Sequence, residues 1–357
     1  MEILRFSVAF AALGMMVAGA GGQTAPAAQT VTVTPQLAIL DTDIGDDIDD
    51  AFALALALRS PELRLLGVTT AYGDTELRAR LVDRFLGAVG RSDIPVAAGV
   101  ETTHRFEMTQ AAYAKHSGWV NVPPCVLHLL SVSQLPVQKY EQGRWDACEK
   151  ERDDAVGFIL RNAREHPGEI TLIAIGPLFN VQAAIERDPA TFRKLKRVVL
   201  MGGSIYRGYD GRNGEQRPPD AEWNISRDPA GLRALLKSGV PVFMMPLDST
   251  QIYLETDERE AIFSHGSPLT DQLTLLYHQW LGGNPEHPLA PTLFDPVAVT
   301  YAVRPEFCPT SPMRLEVDDK GFTRPVDGEP NAQVCLKSDE KSFLDLLLGR
   351  ITTDVGR

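Results

Sequence analysis

The chain lacks what a nucleic-acid partner requires. Its 35 lysines and arginines are outweighed by 47 aspartates and glutamates, the net charge is −12, and no basic cluster interrupts that balance. Phosphate backbones demand a cationic surface, so DNA and RNA are excluded as the main partner. Cysteine is scarce, with only Cys125, Cys148, Cys308 and Cys335 and no Cys-x-x-Cys pair, so a zinc site is not expected. Proximity in the sequence favours disulfides Cys125–Cys148 and Cys308–Cys335, with buried free thiols as the competing expectation. No internal repeat is visible, and no low-complexity tract beyond residues 21–35. The apolar run at residues 6–18 is short for a membrane span, so no stable membrane span is expected. It follows Arg5 and ends in Ala18-Gly19-Ala20, a small-x-small step that marks residues 1–20 as a signal peptide, although Glu2 offsets Arg5. No cysteine follows it to carry a lipid. A flexible leader at 21–35 and a periplasmic or secreted protein are the expectation.

At 357 residues, with 44% apolar and 23% charged positions, the chain can bury an ample core in one large α/β domain or two small ones. Its most informative stretch runs from Ile39 to Leu54. There a short apolar run ends in a glycine-containing turn and an apolar helical segment follows, with six aspartates (41, 43, 46, 47, 49 and 50) in ten residues. Carboxylates packed this closely repel one another and take up protons unless something positive lies among them. A helix N-terminus suits one or two of them, and Asp46 or Asp47 is the expected cap. For the rest, a hard cation with oxygen ligands is the economical explanation. An EF-hand is excluded, because counting from Asp41 its positions five, six and twelve hold Gly45, Asp46 and Phe52.

Asp41-Thr42-Asp43-x-Gly45, followed by Asp49-Asp50-Ala51 and an apolar helix, resembles the N-terminal signature of the nucleoside hydrolase family. The resemblance implies calcium at the carboxyl end of the first strand and hydrolysis of the N-glycosidic bond of a small-molecule ribonucleoside. Two extra residues separate Gly45 from the Asp49-Asp50-Ala51 step. Anchoring on that step leaves Asp47 as the rival for whatever role falls to Asp49.

Further along, residues 37–40, 63–70 and 94–97 read as strands, alternating with helices at 47–59 and 77–89. Such alternation gives right-handed βαβ units and a Rossmann-like, mostly parallel sheet flanked by helices. Ligands then gather at the carboxyl ends of the strands, where Asp43 and Asp74 fall. Residues 101–152 show no sustained period and read as a loop insert, either solvated or a partial lid. A helix is expected at 154–164, strands at 170–175, 198–201 and 240–246, helices at 258–264 and 270–281, two strands at 314–317 and 332–336, and a final helix at 342–351. Residues 36–357 are taken as one nucleoside hydrolase-like domain.

The order of the remaining motifs supports the resemblance. Gly176-Pro177-Leu178-Phe179-Asn180, Met201-Gly202-Gly203, Glu222-Trp223-Asn224 with Asp228-Pro229, and Asp295-Pro296 each match a family step. Alone, Asp295 would be a helix N-cap before proline. The resemblance implies instead that Asp43, Asp50, Asp295 and the Ile175 carbonyl hold the metal. It makes Asp43 the catalytic base, and has Asp49, Glu222 and Asn224 grip the ribose. Asp74 stands where the family has an asparagine near the water. Phe294 stands where many members have a histidine that protonates the leaving base, and it favours stacking and a purine preference. Asn213 is a weaker ribose candidate. Family members are often dimeric or tetrameric, so a homo-oligomer is expected. Two alternatives compete: an exported protein that binds calcium and a ribosyl ligand without turnover, and a haloacid-dehalogenase-like phosphohydrolase. The latter wants Thr or Val where this chain has Gly45.

Overall fold

Strands form where apolar β-formers run unbroken between turns, as a sheet covered on both faces requires. The structure is a computed structural model that describes residues 34–103, 108–115, 154–211, 215–283 and 289–353. The expected signal peptide, nearly all of the leader, most of the 101–152 insert, Asn213 and the pair Cys125–Cys148 lie outside the described residues. Within the compact unit Pro35–Arg357, β1 (Gln36–Thr42), β2 (Leu63–Thr70), β3 (Val96–Ala98), β4 (Thr171–Ala174), β5 (Arg197–Met201) and β6 (Val242–Met245) are parallel. Their spatial order is 3-2-1-4-5-6. The order reverses between β1 and β4, and a crevice opens at such a switch point beyond the carboxyl ends of the strands. The expected parallel, Rossmann-like sheet is therefore present.

Alternate residues of each strand serve opposite faces. Leu40, Ile173, Val199 and Met245 join one apolar core, and Ile39, Leu172, Val198 and Met244 join the other. Helix α1 (Asp49–Arg59) packs against the helices Phe294–Val303 and Glu340–Ile351 on the first side. Crowding by these neighbours explains why α1 is apolar all round, its residues Ala51 to Ala57 all being buried. Helix α2 (Thr75–Ala88) follows β2.

The C-terminal part departs slightly from expectation. β9 (Ala332–Cys335) adds parallel to β6, and β7 (Thr310–Val317) pairs antiparallel with both β9 and β8 (Thr323–Val326). Three strands thus stand where two were expected, because the chain turns back at Gly321 to pair with β7 once more. Cys308 and Cys335 form a disulfide with Cα atoms 5.6 Å apart. No helix of the described residues is long and apolar enough to cross a membrane.

Candidate active site

The aspartate-rich turn leaves β1 at the switch point and meets the end of β4. The Ile175 amide donates to the Asp41 carbonyl at 2.8 Å. Asp43 lies so close over Gly176 that a Cβ there would stand 2.8 Å from Asp43 Oδ1, so only glycine fits. Asp41 is fully buried, where Thr69 Oγ1 and Asn180 Nδ2 both donate to its Oδ1, and burial lifts its carboxyl to about 6. Asn180 also donates to the Thr70 carbonyl and accepts from the Val100 amide. Asp41 therefore joins β1, β2 and the Gly176–Asn180 turn.

Asp49, Asp50 and Asp295 come together, with one carboxylate oxygen from each lying within 4.8 Å of the others. All three are at most 4% exposed. Burial pushes each carboxyl well above the ordinary range, and neighbouring carboxylates add to it: Asp47 and Asp43 at Asp49, Asp43 and Asp49 at Asp50, and Asp49, Asp50 and Asp43 at Asp295. Thr42 Oγ1 donates to Asp50, and the Asp295 amide donates to Asp49 Oδ2 at 3.1 Å. Asp43 stands outside this tightest group, though its charge raises all three. Its own carboxyl is lifted to about 7 by burial against the opposing pull of Arg78. The N-cap reading of Asp295 fails: its helix is capped by Leu293 without a side-chain bond, and Asp295 faces Asp49 and Asp50. The donor set is all oxygen, buried and anionic, which fits a hard cation.

The expected cap from Asp46 or Asp47 is also corrected. Helix α1 starts at Asp49 behind Ile48, with no side-chain cap. Asp46 is drawn instead to Arg78, at 2.7 Å, and Asp47 Oδ1 accepts from the Ile48 amide. Arg78, 1% exposed, is the positive group among the aspartates. It also donates to the carbonyls of Asp43, Ile44 (2.9 Å) and Tyr72 (2.7 Å). The next three carbonyls are met from the segment 108–115. The Gln110 amide donates to Gly45, Thr109 Oγ1 to Asp46, and Gln110 Nε2 to Asp47. Gly45, at φ +127°, leaves no room for a Cβ against the Met108 sulfur. Residues 108–115 are thus a buried clamp, not part of a solvated insert.

Across the crevice, Glu222 is 1% exposed and accepts from the amides of Gly203, Asn224 and Ile225. Burial outweighs those bonds and lifts its carboxyl to about 7. Asn224 Nδ2 donates to the carbonyls of Ile175 (3.0 Å) and Met201 (3.2 Å). Its two N–H groups are thereby spent, leaving Oδ1 to accept. Aromatic rings, some of them next to site residues in the chain, contact one another. Phe294 meets Tyr209 edge-on at 6.0 Å, Trp223 meets Tyr72 edge-on at 6.2 Å, and Tyr72 stacks on Phe179 at 6.1 Å. Tyr72 is held at φ +64°, a left-handed conformation costly for a tyrosine, with Arg78 fixing its carbonyl.

With that geometry in place, likeness to known proteins becomes informative. The family described as inosine-uridine preferring nucleoside hydrolase matches residues 38–345. The chain belongs to this nucleoside hydrolase family. It is 29% identical over 331 residues to the pyrimidine-specific ribonucleoside hydrolase RihA of Citrobacter koseri, covering 88% of this chain and 97% of that one. Among solved structures, it resembles the plant nucleoside hydrolase PpNRh1 with a TM-score of 0.71 and 26% identity, over 90% of this chain and 100% of that one. The purine-preferring ribonucleoside hydrolase from Gardnerella vaginalis gives 0.68 and 26%, over 89% and 98%. Neither a phosphohydrolase nor a turnover-free binding protein finds support in these likenesses.

Nucleoside hydrolases are metal-dependent, and this member brings Asp50, Asp295 and Asp49 to one place beside Asp43. Asp49 joins the tightest carboxylate group although a sugar contact alone was expected of it. Asp74 is exposed, and its Oδ1 caps α2 by accepting from Leu77 at 2.9 Å; it is not drawn into the carboxylate group. Sequence reasoning missed Arg78, Thr109, Gln110 and Tyr209. The only local signal for Arg78 was a cation on the helix that follows the second strand's site turn.

Proposed function

We propose that this nucleoside hydrolase cleaves the N-glycosidic bond of ribonucleosides, giving free base and ribose, with a calcium ion at the aspartate group. The observation that carries the reading is the meeting of Asp49, Asp50 and Asp295, buried and all-oxygen, opposite Glu222 and Asn224. Asp50, Asp295, Asp43 and the Ile175 carbonyl would hold the ion, with Asp49 beside them. When bound, it would neutralise the carboxylates and offer hydroxyl and water oxygens a hard Lewis acid.

The chain's own residues supply the rest. Asp43, buried beside the aspartate group, would accept the proton of the attacking water as a carboxylate. Asn224 Oδ1 and the spare lone pair of Glu222 accept from ribose hydroxyls, which fixes the anomeric carbon against Asp43. Phe294, half-buried, offers a face to the base. A purine presents more area to stack, so we infer purine over pyrimidine ribonucleosides.

The test is ribose release from inosine, guanosine and uridine by purified protein, after chelation and after calcium is restored. Calcium-dependent release, faster with the purines, is expected. No release from any nucleoside, or full activity in chelator, would sink the main reading. A preference for uridine would sink the role given to Phe294.

A further inference from the structure

With phenylalanine at position 294, the departing base needs a donor from elsewhere, and Tyr209 occupies the right place. The loop that carries it is firmly built. Asp248 accepts from the amides of Ile205 and Tyr206, each at 2.8 Å, and Asp220 accepts from the Tyr209 amide at 3.0 Å. Gln251 accepts from the Asp210 amide at 2.7 Å, and Arg207 pairs with Asp210. These bonds fix the Tyr209 ring edge-on to Phe294, with centroids 6.0 Å apart. Its phenolic oxygen accepts from the Trp223 amide at 2.9 Å. Trp223 lies between Glu222 and Asn224, so the hydroxyl is anchored one residue from each group that would grip the sugar, while its ring touches the one that would stack on the base. The seam between sugar and base is where the C1′–N bond lies.

The phenol takes one hydrogen bond and gives its own proton to no acceptor among the described residues. We propose that Tyr209 donates that proton in a hydrogen bond to the base as the C1′–N bond breaks. This assignment rests on the reading of the site as a ribonucleoside hydrolase. In the step, the bond's electron pair moves onto the base nitrogen while the water oxygen bonds to C1′ and the water's proton passes to Asp43. Tyr209 stabilises the electron pair on the base, which then takes its proton from solvent as Asp43 returns one, so that one water is consumed. Burial and the nearby Glu222 carboxylate hold the phenol protonated far into the alkaline range, which keeps it a donor at neutral pH.

The experiment compares Tyr209→Phe with wild type on inosine, uridine and p-nitrophenyl β-D-ribofuranoside. Nitrophenolate departs as a stable anion and needs little help. A hydrogen bond to a group gaining charge corresponds to a factor on the order of 10–100 in kcat. That loss is expected on both nucleosides with KM changed little, while the nitrophenyl riboside keeps nearly wild-type turnover. Because both substrate types are read on the same preparation, their ratio holds even if part of the variant is unfolded. An equal loss on all substrates makes Tyr209 a loop anchor and overturns the proposal. Unchanged nucleoside turnover in the variant overturns it alone, leaving the hydrolase reading intact. Wild type that releases ribose from nothing overturns both.

Discussion

Replacing Asp295 by asparagine should make the metal-free protein more stable and the calcium-loaded protein less so. In the metal-free state Asp295 shares buried space with Asp49 and Asp50, with ligand oxygens inside 4.8 Å of one another. At an effective dielectric near 20, two unit charges at that separation repel by about 3.5 kcal/mol. Asp295 has two such neighbours, so full ionisation would amount to about 7 kcal/mol or more at that dielectric, and proton uptake reduces it. Against this, little is lost. The Asp295 carboxylate accepts no hydrogen bond from the described residues, and the bond to Asp49 comes from its backbone amide, which the variant keeps. A gain of about 2–4 kcal/mol is the expected net effect, or roughly 3–6 °C in Tm for a unit of this size.

Calcium, the ion proposed for this site, should reverse the order. At a hundred times its Kd, an ion that binds only the folded state adds about 2.7 kcal/mol, and the variant, short of one carboxylate ligand, should forfeit most of that. The assay is thermal unfolding at pH 8, in chelator and across a calcium titration. At that pH Asp43 and Glu222, lifted to about 7, are largely ionised. The two Tm curves should cross as calcium rises. A variant that melts below wild type in chelator, or that keeps the full calcium-dependent rise, would refute the reasoning.

The same carboxyls predict a pH dependence in chelator. Asp43 and Glu222 are raised from ordinary values near 4 to about 7, so the stabilisation that protonation brings is complete below pH 4 and is lost as pH rises toward 7; Tm should climb on acidification across that window, before general acid unfolding, and calcium should flatten the slope. Arg78→Met removes the guanidinium that meets Asp46 and three buried carbonyls, and should cost about 3–5 kcal/mol by denaturant midpoint, with Arg78→Lys recovering only part because one ammonium cannot span the fork. Asp49→Asn, in the buried group, should lower kcat/KM at least about tenfold more than Asp47→Asn, at the half-exposed position; equal losses would return Asp47 to the role given to Asp49.

What could be read from the sequence follows the range over which each signal acts. Strands β1, β2, β4 and β5 were legible because a sheet buried on both faces demands unbroken apolar runs, and those are local. The local Asp-Pro pattern alone pointed to a helix cap at Asp295, which is not formed, and only its place in the order of family motifs pointed to the carboxylate group it joins. Arg78 was not legible. On α2 it falls beside Leu77, Leu81 and Val82 as one more charge on an amphipathic helix, and only folding brings it to carbonyls 34 and 35 positions earlier. Asp74 shows a role the motif match did not foresee: a carboxylate two residues past a left-handed Tyr72 meets a free amide of α2 and caps that helix. Tyr209 belongs to a loop without period, where neither the spacing to Phe294 nor the Trp223 contact leaves a trace.

The extra residues before α1 show why those distant groups matter. A loop lengthened by two ought to loosen, and with it the carboxylates on either side. Instead the five consecutive carbonyls from Asp43 to Asp47 are each met from outside, the first two by Arg78 and the next three by Thr109 and Gln110. Leaving a buried carbonyl unmet costs about 1–3 kcal/mol, so five would approach the whole stability of a typical domain. The longer turn is therefore tenable only with α2 and the clamp at 108–115 in place. Asp43, Asp49 and Asp50 owe their positions less to their own turn than to two elements that contribute no carboxylate to the metal group.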